Sequence, residues 1–291
     1  MSLSRRTFSL VLAMTPGIGG RSLVKVLTRN DLLGRTPEEF LGLSFEAYVE
    51  EYKLSRKAAQ ALCLDRRGHL ASVEGIERRL NGLGVTLVTS ADAHYPALIE
   101  EMDPDPPAAL FLFGNLKLLE ARTFCVQSSR NSRPADLDLI ERLTEEGVLQ
   151  GEVLVTGHNT PEYQRSAIVP LRWGSPRILC LDRGLFQALG PELKDETFPS
   201  ARLWRYEFDG KTDLVVSPFR PEAKFVGINN KVRDRLVACL SRRLDFVEVS
   251  PTGNMAALLR LSIRAGRPVR ISDRVLNYRE YVALGATAIR D

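Results

Sequence analysis

The strongest constraint on this chain is an alternation that begins at Gly82 and persists almost to the end. Short apolar runs recur at Val85–Val88, Leu110–Phe113, Thr123–Val126, Val153–Val155, Ile178–Leu181, Leu203–Tyr206, Leu214–Val216, Phe246–Val249 and Val269–Ile271. Amphipathic stretches such as Asp136–Glu146 and Met255–Ala265 lie between them. A fully apolar run of a few residues suits a strand buried on both faces. Strand and helix in alternation then give a mostly parallel sheet covered by helices on both sides. A Rossmann-like α/β fold is the expectation.

The chain ahead of Gly82 has a different character. Phe8, Leu10, Val11, Leu12 and Met14 form one apolar stripe, and Leu23, Val24, Val26 and Leu27 form another. Thr36-Pro37-Glu38-Glu39 is a helix start, with a hydroxyl to cap and proline at the first helical position. Ser55–Leu64 and Leu70–Leu80 suit two more helices. The expected division is therefore a small all-α domain over residues 1–81 and an α/β domain over 82–291. Between the first strand runs, Asp103-Pro104-Asp105-Pro106-Pro107 is expected to be stiff and extended, since each proline fixes its own φ and restricts its predecessor.

Composition excludes several classes. At 44% hydrophobic and 26% charged residues, a buried core is expected rather than disorder. No stretch reaches the roughly 20 apolar residues of a membrane span. The apolar run Phe8–Met14 is too short for a signal peptide, and Pro16-Gly17 follows where a small-residue cleavage site is needed. Of the four cysteines, those in runs such as Phe124-Cys125-Val126 and Leu179-Cys180-Leu181 read as small buried hydrophobes in a reducing, cytoplasmic setting. Only His69, His94 and His158 are available to a metal, and none has ligand spacing with a cysteine, so neither metal nor cofactor is expected. The net charge of +4 is too small to argue for a polyanion. Arginine clusters say more, at Arg5-Arg6, Arg66-Arg67, Arg78-Arg79, Arg130/Arg133, Lys231/Arg233/Arg235 and Arg242-Arg243, because guanidinium can grip a phosphate through two parallel hydrogen bonds.

The motifs converge on anion binding. Thr15-Pro16-Gly17-Ile18-Gly19-Gly20 resembles the turn of a helix-hairpin-helix, in which glycines admit a phosphate to the N–H groups of the next helix, with Arg21 and Lys25 alongside. The bland alternative is a ligand-free turn. After the third strand run, Ser128-Ser129-Arg130-Asn131-Ser132-Arg133 occupies the position where an open α/β sheet places its ligand loop. It lacks the glycines of a dinucleotide fingerprint, so phosphate would be met by side chains. Thr156-Gly157-His158-Asn159 follows the next strand, and His158, with no placed nucleophile, reads as a polar loop residue. Asn229 and Asn230 are positioned to cap the helix that carries Lys231, Arg233 and Arg235. Cations at a helix start oppose its dipole, so they need another reason to be there: a bound polyanion is one, and the bland alternative is a surface helix with solvated arginines. Thr252 and Gly253 lie in a fifth strand-to-helix turn and complete one rim of loops.

These residues resemble the DNA-processing protein A (DprA/Smf) family. The clearest match is Gly84-Val85-Thr86-Leu87-Val88, then Tyr95-Pro96-Ala97-Leu98, Asp105-Pro106-Pro107-Ala108-Ala109-Leu110-Phe111 and Gly114-Asn115-Leu116. Ser129-Arg130 resembles the end of the family's Val-Gly-Ser-Arg loop, Thr156-Gly157 its Ser-Gly turn, Val216-Ser217-Pro218-Phe219 its Ser-Glu-Tyr-Pro segment, and Arg233–Ser241 its Arg-Asn-Arg-Ile-Ile-Ala-Gly-Leu-Ser helix. Gly266-Arg267-Pro268-Val269 resembles its closing strand and Leu284-Gly285-Ala286 its final turn. Ser128 stands in place of glycine, Pro161-Glu162-Tyr163 in place of Gly-Ile-Asp and Asp234 in place of asparagine, and the chain stops at Asp291, ahead of the winged-helix domain many members carry. The resemblance implies a non-enzymatic binder of single-stranded DNA that forms a homodimer and loads a RecA-type recombinase during natural transformation (competence) or recombination. Its DNA contacts would be Ser128, Ser129, Arg130, Arg133, Thr156, Gly157, Asn229, Asn230, Lys231, Arg233, Arg235, Thr252 and Gly253, with Phe219 and Phe225 available to stack on bases. The competing expectation is a nucleotide-processing enzyme or nucleotide sensor of the lysine-decarboxylase-like (SLOG) group, for which Glu162 is the placed acid.

Overall fold

The computed structural model describes residues 3–64, 66–197 and 199–289, and the side chains of the Arg66-Arg67 pair and of His69 lie outside what is described. The chain forms two compact units, residues 1–95 with 104–111, and residues 96–103 with 112–291.

The first unit opens with helices α1 (Arg5–Ala13), α2 (Gly20–Leu33), α3 (Pro37–Leu41), α4 (Phe45–Glu50), α5 (Arg56–Cys63) and α6 (Arg66–Gly82), followed by strand β1 (Thr86–Thr89). Local chemistry sets their starts. Thr36 Oγ1 accepts the Glu39 N–H at 3.2 Å while the Glu39 carboxylate accepts the Thr36 N–H at 2.7 Å, a reciprocal capping box. Ser4, Ser44 and Ser55 cap α1, α4 and α5 in the same way from one side. Phe8, Leu23, Val26, Phe40, Tyr48 and Leu62 build the core of this unit. The unit does not end at the expected boundary near Asn81. Arg6 donates to Asp92 and to the Leu87 carbonyl, the Gly20 N–H donates to the Pro106 carbonyl at 2.9 Å, and Ser90 Oγ donates to the Gly20 carbonyl at 3.2 Å. Residues 82–95 and 104–111 are thereby bound to the helices that precede them.

The second unit contains α7 (Ala97–Met102) and the end of β2 (Ala109–Gly114). From there it alternates through β3 (Thr123–Gln127), α8 (Pro134–Leu149), β4 (Val153–Thr156), α9 (Pro161–Trp173), β5 (Arg177–Cys180), α10 (Leu185–Leu189), β6 (Leu214–Ser217), α11 (Asn229–Cys239), β7 (Arg243–Phe246), α12 (Asn254–Arg264), β8 (Val269–Ser272), α13 (Tyr278–Ala283) and β9 (Thr287–Ile289). The strands lie in the order β6-β5-β4-β3-β7-β8-β9, and each neighbouring pair is parallel. The β3 side chains show how both faces are covered. Phe124 and Val126 pack with Leu139, Ile140 and Leu143 of α8. Their neighbours point the other way: Thr123 Oγ1 donates to the Leu240 carbonyl at 2.7 Å and Gln127 Nε2 to the Asp234 carbonyl at 3.0 Å, both on or beside α11. This is the Rossmann-like sheet read from the sequence. No helix among the described residues is long and apolar enough to cross a membrane.

Three details differ from the sequence reading. Leu203–Tyr206 is not a strand: Leu203, Trp204 and Tyr206 face solvent, while Arg205 turns inward to Glu196 and Asp213. The strand expected at Phe246–Val249 begins three residues earlier, because Arg243 has partners in Glu152 and Asp245 that let it enter the sheet. Strand β9, with only Thr287–Ile289, is too short to give a periodic signal. Cys125, Cys180 and Cys239 are buried, and burial pushes the Cys125 thiol up to about 12.

Candidate functional site

Because the strands are parallel, the turns after β3, β4, β5, β6 and β7 all emerge at one carboxyl edge, and a set of hydrogen bonds ties them together. After β3, the Ser129 N–H donates to the Glu248 carbonyl and Ser129 Oγ accepts the Ser250 N–H, both at 2.8 Å, which locks this loop to the one after β7. Ser128 Oγ lies 2.9 Å from Ser132 Oγ, and the Ser132 N–H donates to the Glu162 carboxylate at 3.2 Å. After β4, Thr156 Oγ1 pairs with Ser166 Oγ at 3.0 Å, and Asn159 Nδ2 donates to Asp182, the first residue past the β5 run. Asn229 Nδ2 donates to the Asp182 carbonyl at 2.8 Å, bringing in the start of α11.

The centre of this arrangement is Arg233, which is 1% exposed. Its guanidinium donates to Asp234 at 2.8 Å, to Asn230 Oδ1 at 3.0 Å and to Asn159 Oδ1, and it lies 4.5 Å from the centroid of the Tyr163 ring. Asp234 also accepts the Tyr163 hydroxyl at 2.9 Å and Asn254 Nδ2 at 3.0 Å. Burial and the Asp234 charge hold the Tyr163 phenol protonated, well above its ordinary range. Gly157 makes room for this hub: a Cβ there would lie 2.9 Å from Arg233 Cδ, Arg233 Nη1 and Tyr163 Cδ2. His158 is buried with Nε2 4.0 Å from Asp182, and its Nδ1 has no hydrogen-bond partner among the described residues. Burial pushes its pKa down to about 4, with Arg233 and Arg183 adding to the effect against Asp182, so the imidazole is neutral.

The sequence-selected residues accordingly divide. Ser128, Ser129, Thr156, Gly157, Asn229, Asn230 and Arg233 belong to the buried framework. Neither Asn229 nor Asn230 caps α11. Its N-cap is Ile228, and both amides turn inward to partners. Arg133 is exposed but folds back on Asp136 in a two-pronged pair at 2.9 and 3.1 Å, and Arg235 pairs with Asp103 at 3.2 Å. Thr252 is exposed, and Gly253 is the N-cap of α12. Arg130 and Lys231 are exposed and pair with nothing among the described residues. Ahead of Lys231 in the chain the segment Lys224–Ile228 is exposed, and the Phe225 ring lies 5.4 Å from the Arg183 guanidinium. Phe219, the other stacking candidate, is half-buried. The framework residues Gln127, Asn159, Tyr163, Asp182, Asp234 and Asn254 were not selected from sequence. A polar residue immediately after an apolar strand run, as at Gln127 and Asp182, is the signal that could have found them. Glu162, the acid of the enzymatic alternative, is itself buried and accepts the Ser132 N–H.

The hairpin residues lie in the first unit. Gly17, with φ +88°, packs on the start of α5, where a Cβ would lie 3.1 Å from Ser55 Oγ and the Ala58 nitrogen. Gly19 faces the Asp105 carboxylate, and the Gly20 N–H is taken by the Pro106 carbonyl. An acid and a carbonyl thus occupy the place a phosphate would need at the α2 N-terminus. Arg21 and Lys25 remain exposed.

Residues 86–160 match the family model for DNA recombination-mediator protein A. No curated protein sequence matches the chain. Among solved structures, DNA processing protein A from Streptococcus pneumoniae superposes with a TM-score of 0.71 at 18% identity, covering 99% of this chain and 95% of that one. DNA processing protein A from Helicobacter pylori, whose structure is described in terms of its single-stranded DNA binding mode, superposes with a TM-score of 0.54 at 18% identity, over 71% of this chain and 91% of that one.

Proposed function

We propose, from the premise that residues 86–160 carry the signature of the DNA recombination-mediator protein A family, that this chain binds single-stranded DNA along the carboxyl edge of its sheet. The observation that carries the reading is the contrast between a buried framework of hydrogen-bonded side chains and two exposed cations, Arg130 and Lys231, that follow its strands and pair with nothing among the described residues, with Phe225 exposed six residues ahead of Lys231. Arg130 and Lys231 hold backbone phosphates, and Phe225 offers a face for an unstacked base, with Arg183 behind it. Such contacts read charge and stacking rather than sequence. The strand so held is then available to a RecA-type recombinase in the cytoplasm, as in recombination or DNA uptake.

Fluorescence anisotropy of labelled oligo-dT tests the site. Arg130→Glu with Lys231→Glu is expected to weaken binding by about tenfold or more and to flatten the salt dependence by about 2 in log–log slope. Phe225→Ala is expected to cost about 1–3 kcal/mol without changing that slope, as for a stacked base. The same charge-reversed protein should fail to speed recombinase assembly on the strand. Oligo-dT affinity within about twofold of wild type for the charge-reversed protein would remove Arg130 and Lys231 from the site.

We further propose a homodimer through α13 and β9. Leu276, Val282 and Leu284 are exposed there, and a cavity of about 260 Å³ is lined by Asp273, Tyr278, Arg279, Val282 and Ala288. An acid and an arginine on one patch suit a two-fold contact, in which each meets its opposite. Leu276→Glu with Leu284→Glu is expected to give a monomer by sedimentation equilibrium; an unchanged mass for this variant, or a monomeric wild type, would remove the interface.

A further inference from the structure

The first unit carries a second cationic face that the rim does not explain. Arg21 and Lys25 are exposed one turn apart on α2, and Lys53, Arg56 and Lys57 are exposed at the entry to α5. None of them pairs with an acid among the described residues. The first turns of α2 and α5 contain no acidic residue. Arg56 and Lys57 stand in the first turn of α5, where cations oppose the helix dipole, whereas at α2 the Asp105 carboxylate beside Gly19 offsets Arg21. The two stretches are neighbours, because the Pro16–Gly19 turn that leads into α2 packs on the first turn of α5. The Ser55 hydroxyl donates to the Gly17 carbonyl at 3.5 Å, and a Cβ on Gly17 would meet the Ala58 nitrogen at 3.1 Å.

What this face lacks defines its ligand. The residues exposed among the cations are Val24, Thr28, Ser55 and Gln60, with no aromatic side chain to stack on an unpaired base. The N–H groups of the Gly17-Ile18-Gly19 turn are no route to a buried phosphate, since Asp105 and the Pro106 carbonyl close the start of α2. Long, solvated cations without stacking partners suit the regular phosphate array of a duplex, which carries one charge per about 1.7 Å of helix axis. We infer that Arg21 and Lys25 of α2 and Lys53, Arg56 and Lys57 at the start of α5 form a backbone-binding surface for double-stranded DNA, separate in residues and in ligand from the rim. Binding is through side chains, sequence-independent and salt-sensitive, and it gives the chain a means of holding a duplex while the rim holds a single strand.

The test uses the full chain and two labelled probes, a blunt-ended duplex of mixed sequence and oligo-dT, titrated across salt. Charge reversal of Arg21, Lys25, Arg56 and Lys57 together is expected to weaken duplex binding by about tenfold or more, and to lower the log–log salt slope by about 3 to 4. Oligo-dT affinity should stay within about twofold, whereas the Arg130→Glu, Lys231→Glu protein should show the opposite pattern. These side chains are solvated, so the melting temperature should hold; a second protein with all four residues as glutamine serves if the acidic version melts early. Unchanged duplex affinity in these variants overturns the inference, as does an equal loss for both probes. Release of the wild type from the duplex by anionic phosphatidylserine vesicles, with the variants failing to bind those vesicles, would assign the face to a lipid surface instead.

Discussion

Arg177→Met is expected to destabilise the protein by about 3–5 kcal/mol, because it leaves two buried carboxylates to share the single charge of Arg205. Arg177 is fully buried, and every arm is used: Nε donates to Asp213 at 2.8 Å, Nη1 to the Ala167 carbonyl at 2.9 Å, and Nη2 to both oxygens of Glu196 at 3.1 Å. Arg205 reaches the same two acids from the following segment, which leaves Leu203, Trp204 and Tyr206 outside. Arg177→Lys should rescue little, since a single ammonium cannot reproduce the fork that serves three acceptors. The loss has a pH signature. Burial pushes the Glu196 carboxyl up, but Arg177 and Arg205 together hold it below its ordinary value. A carboxylate depressed in the folded state contributes stability above its unfolded pKa, near 4.3, and loses it as pH falls through the folded value. Urea titrations should therefore show the widest gap between wild type and Arg177→Met above about pH 5, narrowing below about pH 4 as Glu196 protonates. A constant gap across that range would mean the network stabilises through packing rather than charge.

That network also illustrates what the sequence conceals. Apolar runs such as Ile178–Leu181 announce strands because a buried parallel strand has nearly no polar positions, and the sheet was legible for that reason. Leu203–Tyr206 is also mostly apolar, yet Arg205 in its middle turns inward to acids eight and nine residues away and leaves the apolar side chains outside, which the strand pattern does not encode. The loop rim was legible too, since parallel strands deliver every following turn to one edge. Individual side chains on it were less so. Arg133 and Arg130 share a loop, but only the structure reveals that Asp136 claims the former. For Lys231, Arg233 and Arg235 an elementary rule was available: residues two apart on a helix lie on opposite sides, so the three cannot share one face. Lys231 is exposed, Arg233 is buried, and Arg235 is half-buried against Asp103.

The contrast between Lys231 and Arg233 yields the second large effect. Arg233→Met removes the donor shared by Asp234, Asn230 and Asn159, and the stranded Asp234 keeps only the Tyr163 hydroxyl and the Asn254 amide. Loss of about 3–5 kcal/mol is expected, as for a buried pair deprived of one partner. Gly157→Ala should cost less, about 1–3 kcal/mol, since it presses a methyl group against the same guanidinium and the Tyr163 ring without deleting either. Lys231→Ala, two residues from Arg233 but facing solvent, should change stability by no more than about 0.5 kcal/mol. It should nevertheless lower the salt slope of oligo-dT binding by about 1, the signature of one lost phosphate contact. Thermal melts and anisotropy on the same three proteins separate the roles. An Arg233→Met protein that melts like wild type but fails to bind oligo-dT would mean that the guanidinium leaves its pocket to meet the strand. Early melting of Lys231→Ala would instead give Lys231 a structural role, and the rim would lose that cation as a phosphate contact.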